Sequence, residues 1–171
     1  ARWFNELYLR ETSHEDLAIS LAQMAPSYGV QIDSDQALSI VAMMIERVSF
    51  LGDIFESKWL FNAPSKESFN LKMVKKKWKD ETASYMEDLK GVLEGIEDFK
   101  AEVIEGEFKA FLESRELGFG QVLLPFRIAL TGSGGGPSMF EFAEFLGKEA
   151  TLARLEKGVE TVASIKEELK G

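Results

Sequence analysis

"PFRIALTGSGGGPSMFEF", residues 125–142, decides how the chain reads. Gly132, Ser133, Gly134, Gly135 and Gly136 stand between two apolar runs of helical spacing, and Arg127 lies just upstream. Glycine-rich loops that cradle phosphates come with fixed partners. A P-loop needs Lys followed by Ser or Thr after its last glycine, whereas Gly136 is followed by Pro137, Ser138 and Met139. A dinucleotide fingerprint needs a preceding strand and a Gly-x-Gly-x-x-Gly spacing; the run from Gly132 to Pro137 fails the spacing, and the residues before it are helical. Gly132 instead suits a helix C-cap after Thr131, and Pro137 suits the first turn of the next helix. The backbone between them is bare of side chains. Composition leaves two readings: a flexible turn between helices, or a platform whose N–H and C=O groups approach a flat ligand closely.

Working outward, the periodicity is helical throughout. "SHEDLAISLAQMA" offers Ser13 as an N-cap with Asp16 three residues on, then Leu17, Leu21 and Met24 on one stripe. "DSDQALSIVAMMIERVSFLGDIFE" repeats the pattern, with Asp33 or Ser34 as cap and Leu38, Val41, Met44, Ile45 and Val48 as the expected buried stripe. Pro64 breaks the chain near Asn62, and Ser65 is placed to cap the next segment. Further helices are expected around Met86, Leu89, Val92, Leu93 and Ile96, from Ala101 to Arg115, and from Val122 to Leu130. Two more come after the glycine loop, in "MFEFAEFLG" and "TLARLEKGVETVASIKEEL". No stretch alternates as a strand would. The fold class expected is all-α, two packed helical subdomains meeting near residue 60.

Composition narrows the chemistry. The 171 residues carry a formal net charge of −9 with 45% hydrophobic content, and 13 Phe, 3 Trp and 6 Met supply a core. No apolar run reaches the roughly 18 residues of a membrane span, and no signal-peptide pattern opens the chain. Beginning at Ala1, it reads as a piece of a longer protein. With no cysteine there is no disulfide or thiolate metal site, and the one histidine, His14, sits at an expected helix start and reads as an exposed first-turn residue. No nucleophile–His–acid set can be assembled. The carboxylates at Glu102, Glu105, Glu107, Glu141, Glu144, Glu167 and Glu168 read as solvated helix faces. The expectation is no catalytic residue, no metal and no cofactor.

The charge is unevenly spread. Local nets are −5 over residues 1–60, +4 over 61–80, −7 over 81–120 and −1 over 121–171. Binding to a polyanion depends on the local field, so the overall acidity does not exclude nucleic acid. The one concentrated positive run is "KMVKKKWK", Lys72 to Lys79, a solvated helix end or a phosphate contact, with Trp78 either packed inward or stacked on a base.

The block from Gly120 to Leu155 resembles the C-terminal anticodon-binding region of the bacterial glutamyl-tRNA synthetase family. The matching residues are Pro125-Phe126-Arg127-Ile128-Ala129-Leu130-Thr131-Gly132, Pro137, Met139-Phe140, Leu146-Gly147-Lys148-Glu149 and Arg154-Leu155. "WFNELYLR" (Trp3 to Arg10) and "IERVSFLGDIFE" (Ile45 to Glu56) agree with two further family blocks in the same order. Phe126, Ser138 and Met139 depart from the family's usual residues.

That resemblance implies a fragment of a class I aminoacyl-tRNA synthetase. The His-Ile-Gly-His and Lys-Met-Ser-Lys-Ser signatures of its ATP-using catalytic part do not occur here, so ATP with Mg belongs to the parent and the fragment alone has no active site. It further implies residues 1–28 as the tail of a stem-contacting domain, with 29–60 and 61–171 as two anticodon-binding subdomains. Glutamate tRNA and the catalytic domain of the same chain become the partners, in a cytoplasmic monomer with no membrane role. On matched positions Arg127 contacts the anticodon loop, Gly136, Pro137, Ser138, Met139 and Phe140 meet its bases, and Arg47 reads the last anticodon base. Arginine's planar fork and apolar supports suit unstacked loop bases. Local alternatives are salt bridges for Arg127 and Arg47 and plain core for Met139 and Phe140. A helical protein–protein adaptor and a standalone RNA-binding module are the rival classes.

Overall fold

The structure is a computed structural model that describes residues 2–171, with side chains from Asn5 onward. Trp3, part of one family block, therefore has its side chain outside the described residues. Every regular element among the described residues is helical, and the chain forms two compact units, Ala1–Asn62 and Ala63–Gly171.

The first unit holds α1 (Arg2–Glu11), α2 (His14–Met24) and α3 (Ser34–Met44), and then short 3₁₀ turns. Ser13 caps α2 by accepting the Asp16 N–H at 3.1 Å. Asp33 and Gln36 cap α3 reciprocally at 2.8 and 3.0 Å. α2 packs on α3, burying Leu17 and Leu21 from one and Ala37, Ile40, Val41 and Met44 from the other. Leu38, expected in that stripe, is 38% exposed. The stripe runs 37, 40, 41, 44, and a residue one step along is turned about 100° away from it.

The helix expected to continue through Glu56 ends at Met44. A 3₁₀ turn at Ile45–Arg47 gives way to extended backbone at Val48 and Phe50, and a second 3₁₀ segment covers Leu51–Glu56. Ile45 and Val48 are consequently half-buried. The buried Ser49 hydroxyl donates to Glu6 Oε1 at 2.9 Å, a bond to α1 that a continuous helix would not place there. Phe55 fills the space below, stacked on Tyr28 at 4.3 Å and on Phe61 at 5.6 Å.

The second unit holds α4 (Leu71–Lys77), α5 (Thr82–Glu94), α6 (Ala101–Arg115), α7 (Phe119–Thr131), α8 (Met139–Leu146) and α9 (Lys148–Lys170). α6 has the expected bounds; α7 begins three residues earlier than expected and ends one later. Ser65 does not cap with its side chain. It opens a 3₁₀ turn at Lys66–Ser68, and its hydroxyl meets that of Ser68 at 3.1 Å. α9 packs against α5, α7 and α8, and α6 against α5, α7 and α8. Phe108 of α6 is fully buried among Phe119, Phe126 and Phe140, at ring separations of 5.7, 6.1 and 5.3 Å. The edge-to-face pairs with Phe119 and Phe140 add about 1 kcal/mol each beyond burial. Pro125 lies inside α7, where it removes one backbone donor from the helix.

Candidate nucleic-acid interface

The turn between α7 and α8 is built from both sides. Gly132 closes α7 in the left-handed region at φ +72°, its N–H donating to Ile128 O at 2.8 Å. A side chain there would cost about 1–2 kcal/mol in backbone strain alone. The Gly132 carbonyl accepts from Asn70 N at 2.8 Å, and Asn70 is also the N-cap of α4, accepting from Met73 N. Met73 then lies over Gly134, so close that a Cβ on Gly134 would stand 2.8 Å from Met73 Cγ and Cε. The glycines therefore admit α4 alongside the turn.

The backbone expected to be bare is partly used. Thr131 Oγ1 accepts from Ser133 N at 3.0 Å and itself donates to Arg127 O at 2.7 Å. Ser133 Oγ accepts from Gly135 N at 3.3 Å. The turn is thus held in one conformation by two hydroxyl brackets, which a merely flexible connection would lack. Gly135 has nothing within 4 Å of its would-be Cβ and is its open point.

Pro137 is buried and stands just before the N-cap of α8, where the sequence reading put it in the first turn. Ser138 is the cap, with Oγ accepting from Phe140 N at 3.2 Å and Glu141 N at 3.3 Å. The sequence carries the signal for it, Ser138-x-x-Glu141 ahead of an apolar run. Met139 and Phe140 are 1% and 7% exposed, so their side chains belong to the core, Phe140 against Phe108 and Phe119. Arg127 on α7 is half-buried, with Nη1 closed off from solvent. Residues 127 and 136–140 belong to one unit, whereas Arg47 belongs to the other.

Arg47 is exposed on the 3₁₀ turn after α3. It lines a cavity of about 640 Å³ together with Glu6, Arg10, His14, Glu46 and Ser49. His14 is exposed in the first turn of α2, as expected.

Two supports escape the residue pattern. Arg154 of α9, matched only as part of a family block, is buried and donates from Nη1 to Leu130 O at 3.0 Å, closing the C-terminal end of α7. Its guanidinium lies 5.5 Å from the Phe142 ring centre, and burial lowers its pKa to about 10, so it is charged at neutral pH. Glu144, read as a solvated carboxylate, accepts from Ala101 N at 2.7 Å and caps α6 from α8. Among the described residues no cluster of His, Cys, Asp or Glu fits a metal ion, and no helix is long and apolar enough to cross a membrane.

The chain matches the family model described as an anticodon binding domain over residues 17–159. It is 37% identical to the glutamate–tRNA ligase of Christiangramia forsetii over 162 residues, which cover 94% of this chain and 32% of that protein. The Bacteroides fragilis glutamate–tRNA ligase is also 37% identical, over 164 residues and with the same coverage. Among solved structures, a glutamate tRNA ligase from Elizabethkingia meningosepticum, crystallised with its amino acid, superposes with a TM-score of 0.88 at 36% identity, over 94% of this chain and 32% of that one. A glutamate–tRNA synthetase from Elizabethkingia anophelis gives 0.83 at 33% identity, over 93% and 31%. The chain spans about a third of the length of these relatives. Its helices, its braced glycine turn and the match over residues 17–159 agree: the chain belongs to the family of anticodon-binding domains.

Proposed function

We propose that this chain is the anticodon-binding, C-terminal part of a glutamate–tRNA ligase, holding glutamate tRNA while a catalytic domain elsewhere in the same protein joins glutamate to it with ATP and Mg. The observation that carries the reading is the match to the anticodon-binding family over residues 17–159, which contains both arginines and the whole braced turn. The fragment itself contributes grip and selection, not chemistry. Residues 1–28 serve as the tail of the stem-contacting domain, and 29–60 and 61–171 as the anticodon-binding subdomains of a cytoplasmic, monomeric enzyme.

Within that reading, Arg127 and the turn at Gly136, Pro137 and Ser138 meet the anticodon loop. Met139 and Phe140 support the turn from the core, consistent with their burial. Arg47 reads a base at the cavity it lines, where guanidinium donors and the Glu46 carboxylate supply both halves of a hydrogen-bonding edge. The test is binding of the chain at low salt to glutamate tRNA and to the same tRNA with a replaced anticodon, for the native sequence and for Arg127→Ala. The reading requires weaker binding on either change; equal binding by both RNAs, unaffected by the mutation, would refute it.

A further inference from the structure

The Lys72–Lys79 run has no assigned part in anticodon recognition, and the structure places it beside the glycine turn. Lys72, Lys75 and Lys76 fall at i, i+3 and i+4 of α4 and are exposed, and Lys79 is exposed just past the helix end. The opposite face is buried: Val74 is fully enclosed and Trp78 is 4% exposed, so the tryptophan packs inward while the lysines face solvent beside the exposed Leu71. Among the described residues none of these four lysines has a carboxylate partner within 4 Å; the ion pairs nearby involve Lys66 with Glu168 and Lys90 with Glu156. Asp80 and Glu81 come next in sequence without pairing to them. Like charges at helical spacing repel, by a few tenths of a kcal/mol per pair.

The position of this face is fixed. Asn70 ties the start of α4 to the Gly132 carbonyl, Met73 covers Gly134, α4 packs along α7, and Lys166 of α9 donates to the Trp78 carbonyl at its far end. A polyanion seated on the turn therefore finds a rigid row of cations next to it. In a chain of net −9, residues 61–80 carry +4.

We propose that Lys72, Lys75, Lys76 and Lys79 form a phosphate-binding face that holds the RNA backbone flanking the loop seated on the glycine turn. This rests on the proposed RNA-binding function and adds to it a surface that supplies affinity without sequence choice. Phosphate contacts position a nucleic acid, whereas base contacts specify it.

The experiment is fluorescence anisotropy with a labelled hairpin of the glutamate tRNA anticodon arm, titrated with the full chain across a salt series. The quadruple variant Lys72→Gln, Lys75→Gln, Lys76→Gln and Lys79→Gln is compared with the native chain, and Lys75→Gln with Lys76→Gln serves as a milder pair. Helix content by circular dichroism confirms folding. Each phosphate contact contributes about 0.7–0.9 to the slope of log K against log salt. The quadruple variant should therefore lose about 3–3.5 from that slope and bind at least about tenfold more weakly at low salt, with its preference for the native anticodon retained. An unchanged slope and affinity in the folded variants would overturn the proposal, as would the absence of salt-dependent binding by the native chain. Anticodon-independent binding whose slope still falls in the variants would sustain the phosphate face while refuting anticodon recognition.

Discussion

A Cβ on Gly158 would stand 2.4 Å from the carbonyl oxygen of Ala129 and 2.7 Å from its Cα, so α9 crosses α7 at backbone contact. Four residues earlier on α9, Arg154 donates to Leu130 O at 3.0 Å. The long C-terminal helix thus holds α7 at two adjacent residues, directly before the helix releases into the glycine turn. The geometry of the proposed interface depends on a helix that takes no part in it.

Gly158→Ala forces the two helices apart, because the obstructing atoms are backbone and have no alternative rotamer. Overpacking of this kind costs about 1–3 kcal/mol, and the upper end is expected here. Denaturant unfolding should show the loss as a lower midpoint with an unchanged slope. A variant as stable as the native chain would contradict the close crossing.

Arg154→Met keeps much of the side-chain volume and deletes the donor to Leu130. Hydrogen bonds from charged groups are worth about 1.5–3 kcal/mol, offset here by no longer burying a charge. A net loss of about 1–2 kcal/mol is expected, with amide hydrogen exchange accelerating at Ser133 and Gly135 before the rest of the unit. Uniform acceleration across all helices would argue against a local clamp.

Ser138→Ala removes both hydrogen bonds that cap α8 and should cost about 1 kcal/mol, whereas Ser138→Asp should retain most of that stability. Thermal unfolding of the three chains in parallel decides it. If the two variants unfold together, the hydroxyl is not acting as a cap.

Gly132→Ala places a side chain at φ +72° with Pro64 Cβ 3.3 Å away, for an expected loss of about 1–2 kcal/mol. Gly135→Ala, at the open point of the turn, should leave the fold nearly intact. The pair separates glycines needed by the chain from one available to a ligand. RNA affinity should fall for both, for different reasons: a displaced turn in the first and an obstructed surface in the second.

The helical architecture was legible because its signals are local. Ser13 and Asp33 are caps, and Met86, Leu89 and Leu93 of the expected α5 stripe are buried on that helix, with Val92 half-buried and Ile96 buried just beyond its end. What local pattern missed is set by tertiary partners. The run after Met44 has helical spacing, yet it unwinds into extended backbone where the Ser49–Glu6 bond lies, a contact 43 residues apart. The glycine turn was legible as a cap and a break, but not as a structure braced by α4, because Asn70 and Met73 reach it from a different element. Burial of Met139 and Phe140 was one of two readings open to the sequence; the cluster around Phe108 is where their helix packs on α6. Arg154 was visible only as a matched pair with Leu155, since nothing in its neighbours announces a bond to a carbonyl 24 residues away.

Nuclease footprinting of end-labelled glutamate tRNA in the presence of the native chain tests the central claim most directly. The account predicts protection of the anticodon loop and the backbone beside it, lost when Arg127→Ala replaces the native protein. Protection confined to other parts of the tRNA, or a loop that is cut as readily with the protein as without it under conditions where the two bind, would contradict anticodon recognition by this domain.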